Sequence, residues 1–186
     1  MIDLQNFPFS DIPNNDQFTF GYLANLVADK GHETLLRALP NVPNCKLLLG
    51  GDGPLRAQLE RLCTDLGLNN RVSFTGPIPR GQAHNFFQQI NAFVHPSRYE
   101  TFGIVLLESL APGRPVVATR CGGPNDIVRK QDGILVAVDD AVDLAKGMQQ
   151  LMNQDWNPIA MRTGVEERYT KDTIRNQLLE IYKSVL

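Results

Sequence analysis

In the stretch RYETFGIVLLESLAPGRPVV, residues 98–117, two carboxylates, Glu100 and Glu108, are separated by seven residues and set in an apolar run. A carboxylate in apolar surroundings is costly unless something pairs with it. Glu108 therefore either faces water or meets a partner from outside the chain. A helix is expected to open near Thr101 to Gly103, because glycine allows backbone and ligand to approach closely. The N–H groups of Phe102, Gly103, Ile104 and Val105 would then point out of the helix end, where an anion such as phosphate is favoured. Ile104, Val105, Leu106 and Leu107 put apolar side chains almost all round the next turn, which predicts a buried helix. Glu108 lies one turn after Ile104 and leans back toward the helix start, across about 6 Å of axis. Beside a phosphate it would repel; one turn back it could accept hydrogen bonds from sugar hydroxyls, such as those of a ribose next to a diphosphate. Glu100 would face another part of the same ligand. The same residues also permit a solvated Glu108 on a half-exposed helix.

Other candidate groups are weaker on their own. His95 ends a predicted strand, where a structural histidine is the commoner outcome. His32 and His84 read as helix-surface residues, and Lys30, in DKG, as a loop lysine. Gly76, Pro77 and Ile78 read as a turn ending a strand. Gly50, Gly51 and Gly53 in GGDGP form a tight turn, and their spacing is not the G-x-G-x-x-G of dinucleotide-binding proteins. No His, Cys, Asp or Glu cluster has metal-ligand spacing, so no metal is expected. The three cysteines, Cys45, Cys63 and Cys121, fit reduced thiols better than a disulfide frame.

The elements that must hold these residues alternate. Strands are expected at 18–24, 46–51, 72–76, 92–97, 115–119 and 133–138. Helices are expected at 31–39, 54–68, 81–90, from Thr101 onward, and from GGPNDIVRK. Two more close the chain, one marked by Leu144, Ala145, Met148, Leu151 and Met152, the other by Ile174, Leu178, Ile181, Tyr182 and Val185. Apolar rather than alternating strands, with helices between them, predict an α/β fold: a Rossmann-like parallel sheet with helices on both faces. Ligands in such folds bind at the carboxyl ends of the strands. Residues 5–17, QNFPFSDIPNNDQ, read as irregular linker. The chain has 186 residues and a formal net charge of −2, which fits one domain and leaves no basic footprint for nucleic acid. No polybasic run marks a membrane surface, no apolar run approaches the ~20 residues of a membrane span, and MIDLQNFPFSD is not a signal peptide.

The pattern PSRYETFGIVLLESLAPGRPVVAT, with KGHETLLRAL, LLLGGDGPLRAQLERL, LNNRVSFTGPIP and CGGPNDIV in order around it, closely resembles retaining glycosyltransferases of family four, the group 1 glycosyltransferases. These have the GT-B fold, two Rossmann-like domains facing a cleft. The resemblance covers roughly residues 18–150, and IDLQNF and the final helix also look like family segments. It implies that Glu108 binds the ribose of a nucleotide and Glu100 the hydroxyls of the donor sugar. The amides of Phe102, Gly103, Ile104 and Val105 would hold the sugar and distal phosphate. Lys30 would pair with the diphosphate and act with Glu100 in catalysis. The loop Gly76-Pro77-Ile78 would cradle the base, and Gly122 and Gly123 would face the donor. The family usually has arginine five residues before this lysine, where this chain has Asn25, which lacks the charge and the bidentate fork. Arg98 and Arg120 are candidate substitutes, although both also read as surface residues. Asp126 stands where the family usually has glutamate.

The resemblance further implies a substrate and partners: a nucleotide-diphospho sugar as donor, no cofactor, no metal for the transfer, and a missing N-terminal acceptor domain. Residues 1–17 are then an interdomain linker remnant and 18–186 the donor-binding domain, the C-terminal half of a GT-B enzyme that binds donor but transfers little alone. The expected location is the cytoplasm, with peripheral association of the full-length enzyme at the inner membrane face left open, and bacterial polysaccharide or lipopolysaccharide assembly as a common setting. Rival readings are a nucleotide-binding Rossmann module without transferase activity, or a GT-B epimerase or phosphorylase. A receiver domain is disfavoured, since Asp139 and Asp140 follow the last strand and supply no acidic cluster at the strand ends.

Overall fold

A computed structural model of the chain describes residues 1–14 and 16–185. Asn15, one of the two adjacent asparagines in the expected linker, and Leu186 lie outside the described residues, as do the side chains of Arg80 and Val185. In chain order the elements are β1 (Phe18–Leu23), α1 (His32–Ala38), β2 (Cys45–Gly50), α2 (Arg56–Asp65), β3 (Val72–Gly76), α3 (Ala83–Gln88), β4 (Ala92–His95), α4 (Ile104–Leu110), β5 (Val116–Thr119), α5 (Pro124–Ile127), β6 (Gly133–Val136), α6 (Ala141–Met152), α7 (Pro158–Tyr169) and α8 (Lys171–Val185).

The six strands form one sheet in the order β3-β2-β1-β4-β5-β6, and every pairing is parallel. The expected α/β class, a Rossmann-like parallel sheet with helices on both faces, is what the chain adopts. β1 and β4 are neighbours in the sheet but far apart in sequence, so the strand order reverses between them. That reversal opens a crevice at the carboxyl ends of the strands. β4 and β5 are buried along their whole length, which is why their sequences, AFVH and VVAT, show no alternation.

The apolar spacing predicts two closing helices; the described residues form three. That spacing misses α7, PIAMRTGVEERY, where only Met161, Gly164 and Val165 are buried. Three small or flexible contacts in twelve residues leave almost no apolar stripe to detect. Of the residues that mark α8, Leu178, Ile181 and Tyr182 are exposed. The helix that carries Glu108 is also not buried all round as predicted. Leu106 and Leu107 are in the core, but Ile104 is 41% exposed.

The described residues ahead of β1 are irregular apart from one 3-10 turn at Leu4–Asn6, yet they are tied to the domain. Ile2 bridges Thr170 in parallel register. Phe7 is buried and packs edge-on against Phe87, ring centroids 6.1 Å apart. Arg162 donates to the carbonyls of Phe7 at 2.5 Å and Ala111 at 3.0 Å. No helix among the described residues is long and apolar enough to cross a membrane.

Candidate active-site cleft

A cleft of about 1060 Å³ lies along the carboxyl edge of the sheet, lined from several loops by residues that include Asn25, Lys30, Ile78, Glu100, Ile104, Val105 and Glu108. These seven come from the loops after β1, β3 and β4 and from the first turns of α4. Chain topology, not sequence proximity, brings them together.

The loops that flank the strand-order reversal are locked to each other. Gly31 has φ of +67°, and a Cβ there would lie 1.9 Å from the carbonyl oxygen of Pro96, so only glycine lets the two loops touch. The Arg98 amide donates to the Asp29 carbonyl at 2.8 Å. The Tyr22 hydroxyl donates to the Lys30 carbonyl. This bracing sets the Lys30 Nζ 3.1 Å from Glu100 Oε2. Burial raises the Glu100 pKa, but the Lys30 ammonium and the Phe102 amide outweigh it and hold the carboxyl below its usual range.

His95 sits behind this pair. Its side chain is almost fully buried, and Nε2 lies 3.8 Å from Glu100 Oε2. Burial, and secondarily the nearby Lys30 charge, lower its pKa to about 4 against an opposing pull from Glu100, so the ring is neutral at pH 7. Gly103 begins α4 in the left-handed conformation, φ 90° and ψ 46°. Glu108, one turn into α4, is half-buried and lines the cleft on the same side as Ile104.

Several predicted residues are placed elsewhere. Gly76 is buried behind the lining, its carbonyl accepting the Gly51 amide at 2.8 Å, while Pro77 and Ile78 face the cleft. The Phe102 side chain leaves the site and packs edge-on to Tyr169 at 6.2 Å. The Phe102 amide, expected to be open to an anion, points at Glu100 Oε1 at 3.4 Å. Gly122 and Gly123 pack against the backbone of Glu100 and Phe102, supporting the loop rather than lining the cleft. Asp126 is exposed outside the lining. Arg98 pairs with Asp139 at 2.7 Å, and Arg120 donates to the Leu135 carbonyl; both are on the surface, outside the lining.

Two histidines correct the sequence reading. His32 is not a surface residue: it is buried against Tyr22, ring centroids 4.8 Å apart, because the first turn of α1 folds down over β1. Burial lowers its pKa to about 4. His84 is half-buried and lines the cleft, since α3 starts at the same strand-end edge as the site. Its place just after β3 was the signal available in sequence. Gln5, Asn6, Phe7 and Pro8 also line the cleft; nothing in a proline-rich segment announces that it folds back so far. Among the described lining residues Lys30 is the single lysine or arginine. No group of three or more His, Cys, Asp or Glu among the described residues is placed to hold a metal ion.

Residues 5–170 match the family model of glycosyl transferases group 1. The chain belongs to this family. It is 32% identical to an uncharacterized glycosyltransferase, MJ1607, of Methanocaldococcus jannaschii, over 96% of this chain and 48% of that protein. It is 33% identical to the lipopolysaccharide core biosynthesis glycosyltransferase LpsE of Rhizobium meliloti, over 87% of this chain and 48% of that one. Among solved structures, Anabaena Alr3699/HepE in complex with UDP and glucose superposes with a TM-score of 0.80 at 26% identity, covering 91% of this chain and 49% of that one. The chain thus spans about half the length of the relatives it matches. It is a glycosyltransferase group 1 domain with a Rossmann-like fold.

Proposed function

We propose that this chain binds the nucleotide-diphospho sugar donor of a retaining glycosyltransferase, as the C-terminal half of a two-domain GT-B enzyme. The observation that carries the reading is the meeting of Lys30, Glu100 and Glu108 in one cleft at the strand-order reversal. Similarity to a protein solved with UDP and glucose supports the same ligand class here.

In this reading the Glu108 carboxylate accepts hydrogen bonds from the ribose. The backbone around Gly76 to Ile78 holds the base. Lys30, the amides of Gly103, Ile104 and Val105, the Phe102 amide once it is released from Glu100, and the amide side chain of Asn25 meet the phosphates. Glu100 takes hydroxyls of the transferred sugar. As the bond from sugar to diphosphate breaks, positive charge develops on the sugar and negative charge on the leaving phosphate. The Lys30 ammonium, already fixed by its neighbours, stabilises that negative charge without moving. The acceptor hydroxyl then attacks the face the diphosphate left and passes its proton to the departing phosphate oxygen, so configuration is retained. The acceptor site belongs to the remainder of the enzyme, and this chain alone turns over slowly. The chemistry needs no cofactor or metal.

Calorimetric titration with UDP, GDP and ADP, and with their sugar conjugates, tests the reading. One nucleoside diphosphate is expected to bind. Removing a carboxylate that holds two hydroxyls costs about 1.5–3 kcal/mol, so Glu108→Ala should weaken that ligand by roughly tenfold to a hundredfold. Binding of NAD in preference to all three, or full affinity in the Glu108→Ala chain, would sink the proposal.

A further inference from the structure

Among the described residues, five buried side-chain atoms make no hydrogen bond of good geometry: both ring nitrogens of His32, both of His95, and Ser97 Oγ; His32 has the Val27 backbone and Ser97 the Tyr22 hydroxyl close enough to interact, whereas His95 has no such neighbour. Folded interiors pair the large majority of such groups, so a cluster of exceptions needs a reason. Of the three residues, His95 alone lines the cleft. Its ring is 1% exposed, stacked on Phe93 at 6.4 Å and 21° and edge-on to Tyr22 at 6.2 Å. Packed on two sides, it cannot turn to find water elsewhere. The partner for its cleft-facing nitrogen has to arrive through the cleft.

The 3.8 Å gap from Nε2 to Glu100 Oε2 is too long for a hydrogen bond. It does allow one oxygen to sit about 2.8 Å from both atoms, an ordinary hydrogen-bond length to each. The chemistry of that oxygen is constrained. It must donate to a carboxylate, which only accepts, and accept from a neutral imidazole N–H. A hydroxyl does both, as does the water that a sugar hydroxyl would displace. A phosphate or carbonyl oxygen cannot donate, and would face the Glu100 charge.

We propose that His95 and Glu100 together form a two-point receptor for a single hydroxyl of the donor sugar, making His95 a specificity-determining residue. This rests on the donor reading above and extends it, since nothing in that reading uses His95. The imidazole carries its proton on Nε2, the nitrogen that faces the carboxylate, and stays neutral through burial. Ring packing holds it in place before the sugar arrives, so the receptor is preformed.

The test compares the tightest-binding nucleoside diphosphate among UDP, GDP and ADP with its glucose, galactose and mannose conjugates, on the 186-residue chain and on His95→Phe and His95→Gln. His95→Phe should leave the nucleoside diphosphate within about twofold and weaken the preferred sugar conjugate about five- to tenfold, the worth of one such hydrogen bond. His95→Gln, whose amide nitrogen reaches to a similar point, should recover part of the loss. One monodeoxy form of the preferred conjugate should bind the wild-type chain about as weakly as the full sugar binds His95→Phe, and should lose nothing further in that variant. Should His95→Phe fail to fold, His95→Asn, which draws the donor back from Glu100, carries the same comparison. Equal losses for nucleotide and conjugate, no loss for either, or additive effects of deoxygenation and substitution would overturn the proposal while leaving donor binding intact. No binding of any nucleoside diphosphate would overturn the donor reading and this proposal with it.

Discussion

At the amino ends of β4, β5 and β6 stand Asn91, Arg114 and Asp132, all buried and all supplied with hydrogen bonds. The Arg114 guanidinium donates to Phe87 O at 3.0 Å, Ser10 O at 2.9 Å, Pro112 O at 3.1 Å, Ser10 Oγ at 2.7 Å and Asp11 O at 2.9 Å. The Asp132 carboxylate takes Arg129 Nε at 2.6 Å and Nη2 at 2.7 Å. Asn91 accepts from the Thr19 amide and donates to the Pro13 carbonyl, each at 2.8 Å. At the carboxyl ends of the same sheet, His32, His95 and Ser97 are equally buried and have side-chain atoms that make no hydrogen bond of good geometry. A fold able to saturate a buried guanidinium at one edge is not short of means to satisfy a histidine at the other. The difference is one of task. The amino edge closes the domain and ties down the N-terminal segment. At the carboxyl edge His95 alone of these three lines the cleft and is held in reserve for something that enters, and departures from full satisfaction are expected at such sites.

The largest effect should come from breaking the closed edge. Arg114→Met removes every donor at once and leaves the carbonyls of Phe87 and Pro112, with the Ser10 and Asp11 groups, without their partner. Each buried acceptor left without a donor costs about 1–3 kcal/mol, so the total loss should reach several kcal/mol. The midpoint of denaturant unfolding should fall accordingly, and residues 1–11 should become sensitive to protease. A loss under about 1 kcal/mol, the range of exposed pairs, would mean that the amino edge is no more committed than the surface.

The open edge should make itself felt through pH. The pKa values of His32 and His95 are each lowered from 6.5 to about 4 in the folded state. Below pH 6.5 the unfolded chain takes up protons that the folded chain refuses, so stability falls as pH falls, until the folded rings titrate near 4. Two such groups give a slope of at most about 2.7 kcal/mol per pH unit inside that window. Unfolding measured at pH 7, 6 and 5 checks this, and His32→Phe should remove about half of the slope. A flat profile from pH 7 to 5 would show that the buried rings find partners in solution.

How these edges read in sequence differs as much as how they are built. Strand positions, the parallel sheet and the place of Glu100 and Glu108 at its carboxyl edge were legible, because apolar runs mark strands and the crossover rule sends the loops after them to one edge; Lys30, a loop lysine by its own sequence context, was placed with them only by the resemblance to the glycosyltransferase family. Arg114 was not. It sits between Gly113 and Pro115, where a charged residue reads as a surface turn, and its partners lie at positions 10, 11, 87 and 112. Phe7 stayed hidden for the same reason, an aromatic between polar and proline residues whose contact, Phe87, is distant in the chain. His32 follows a glycine and precedes Glu33, so local composition places it in solvent; only the three-dimensional path of α1 over Tyr22 buries it. What the sequence displays is periodicity and local chemistry. What it conceals are single side chains whose environment is assembled from remote segments.

Charge at the open edge should tune ligand binding more than folding. Lys30 and Glu100 are 29% and 18% exposed, and pairs of this kind contribute about 1 kcal/mol or less to stability. Lys30→Met should therefore shift the unfolding midpoint little, while weakening the nucleoside diphosphate about tenfold to a hundredfold, as expected for the loss of a charge-assisted contact of about 1.5–3 kcal/mol. Comparable losses in stability and affinity would place Lys30 with the closed edge instead.

The smallest expected effect offers the finest distinction. Asn25 is exposed at the cleft mouth, in a lining whose described residues include one cation, Lys30, against Asp52, Glu100 and Glu108. Among the described side chains of this lining, a diphosphate meets more negative than positive ones. Asn25→Arg adds a planar, permanently charged fork suited to phosphate oxygens. It should tighten the nucleoside diphosphate several-fold, about 1 kcal/mol once the entropy of ordering a long side chain is subtracted. Because the position is exposed, stability should change by less than about 0.5 kcal/mol. The gain should shrink as salt is raised, since exposed charges are screened over roughly 10 Å at 0.1 M ionic strength. A salt-independent gain would instead point to packing of the arginine stem against the base or the N-terminal segment. No gain at any salt would mean that the phosphates lie on the Lys30 side of the cleft, beyond the reach of position 25.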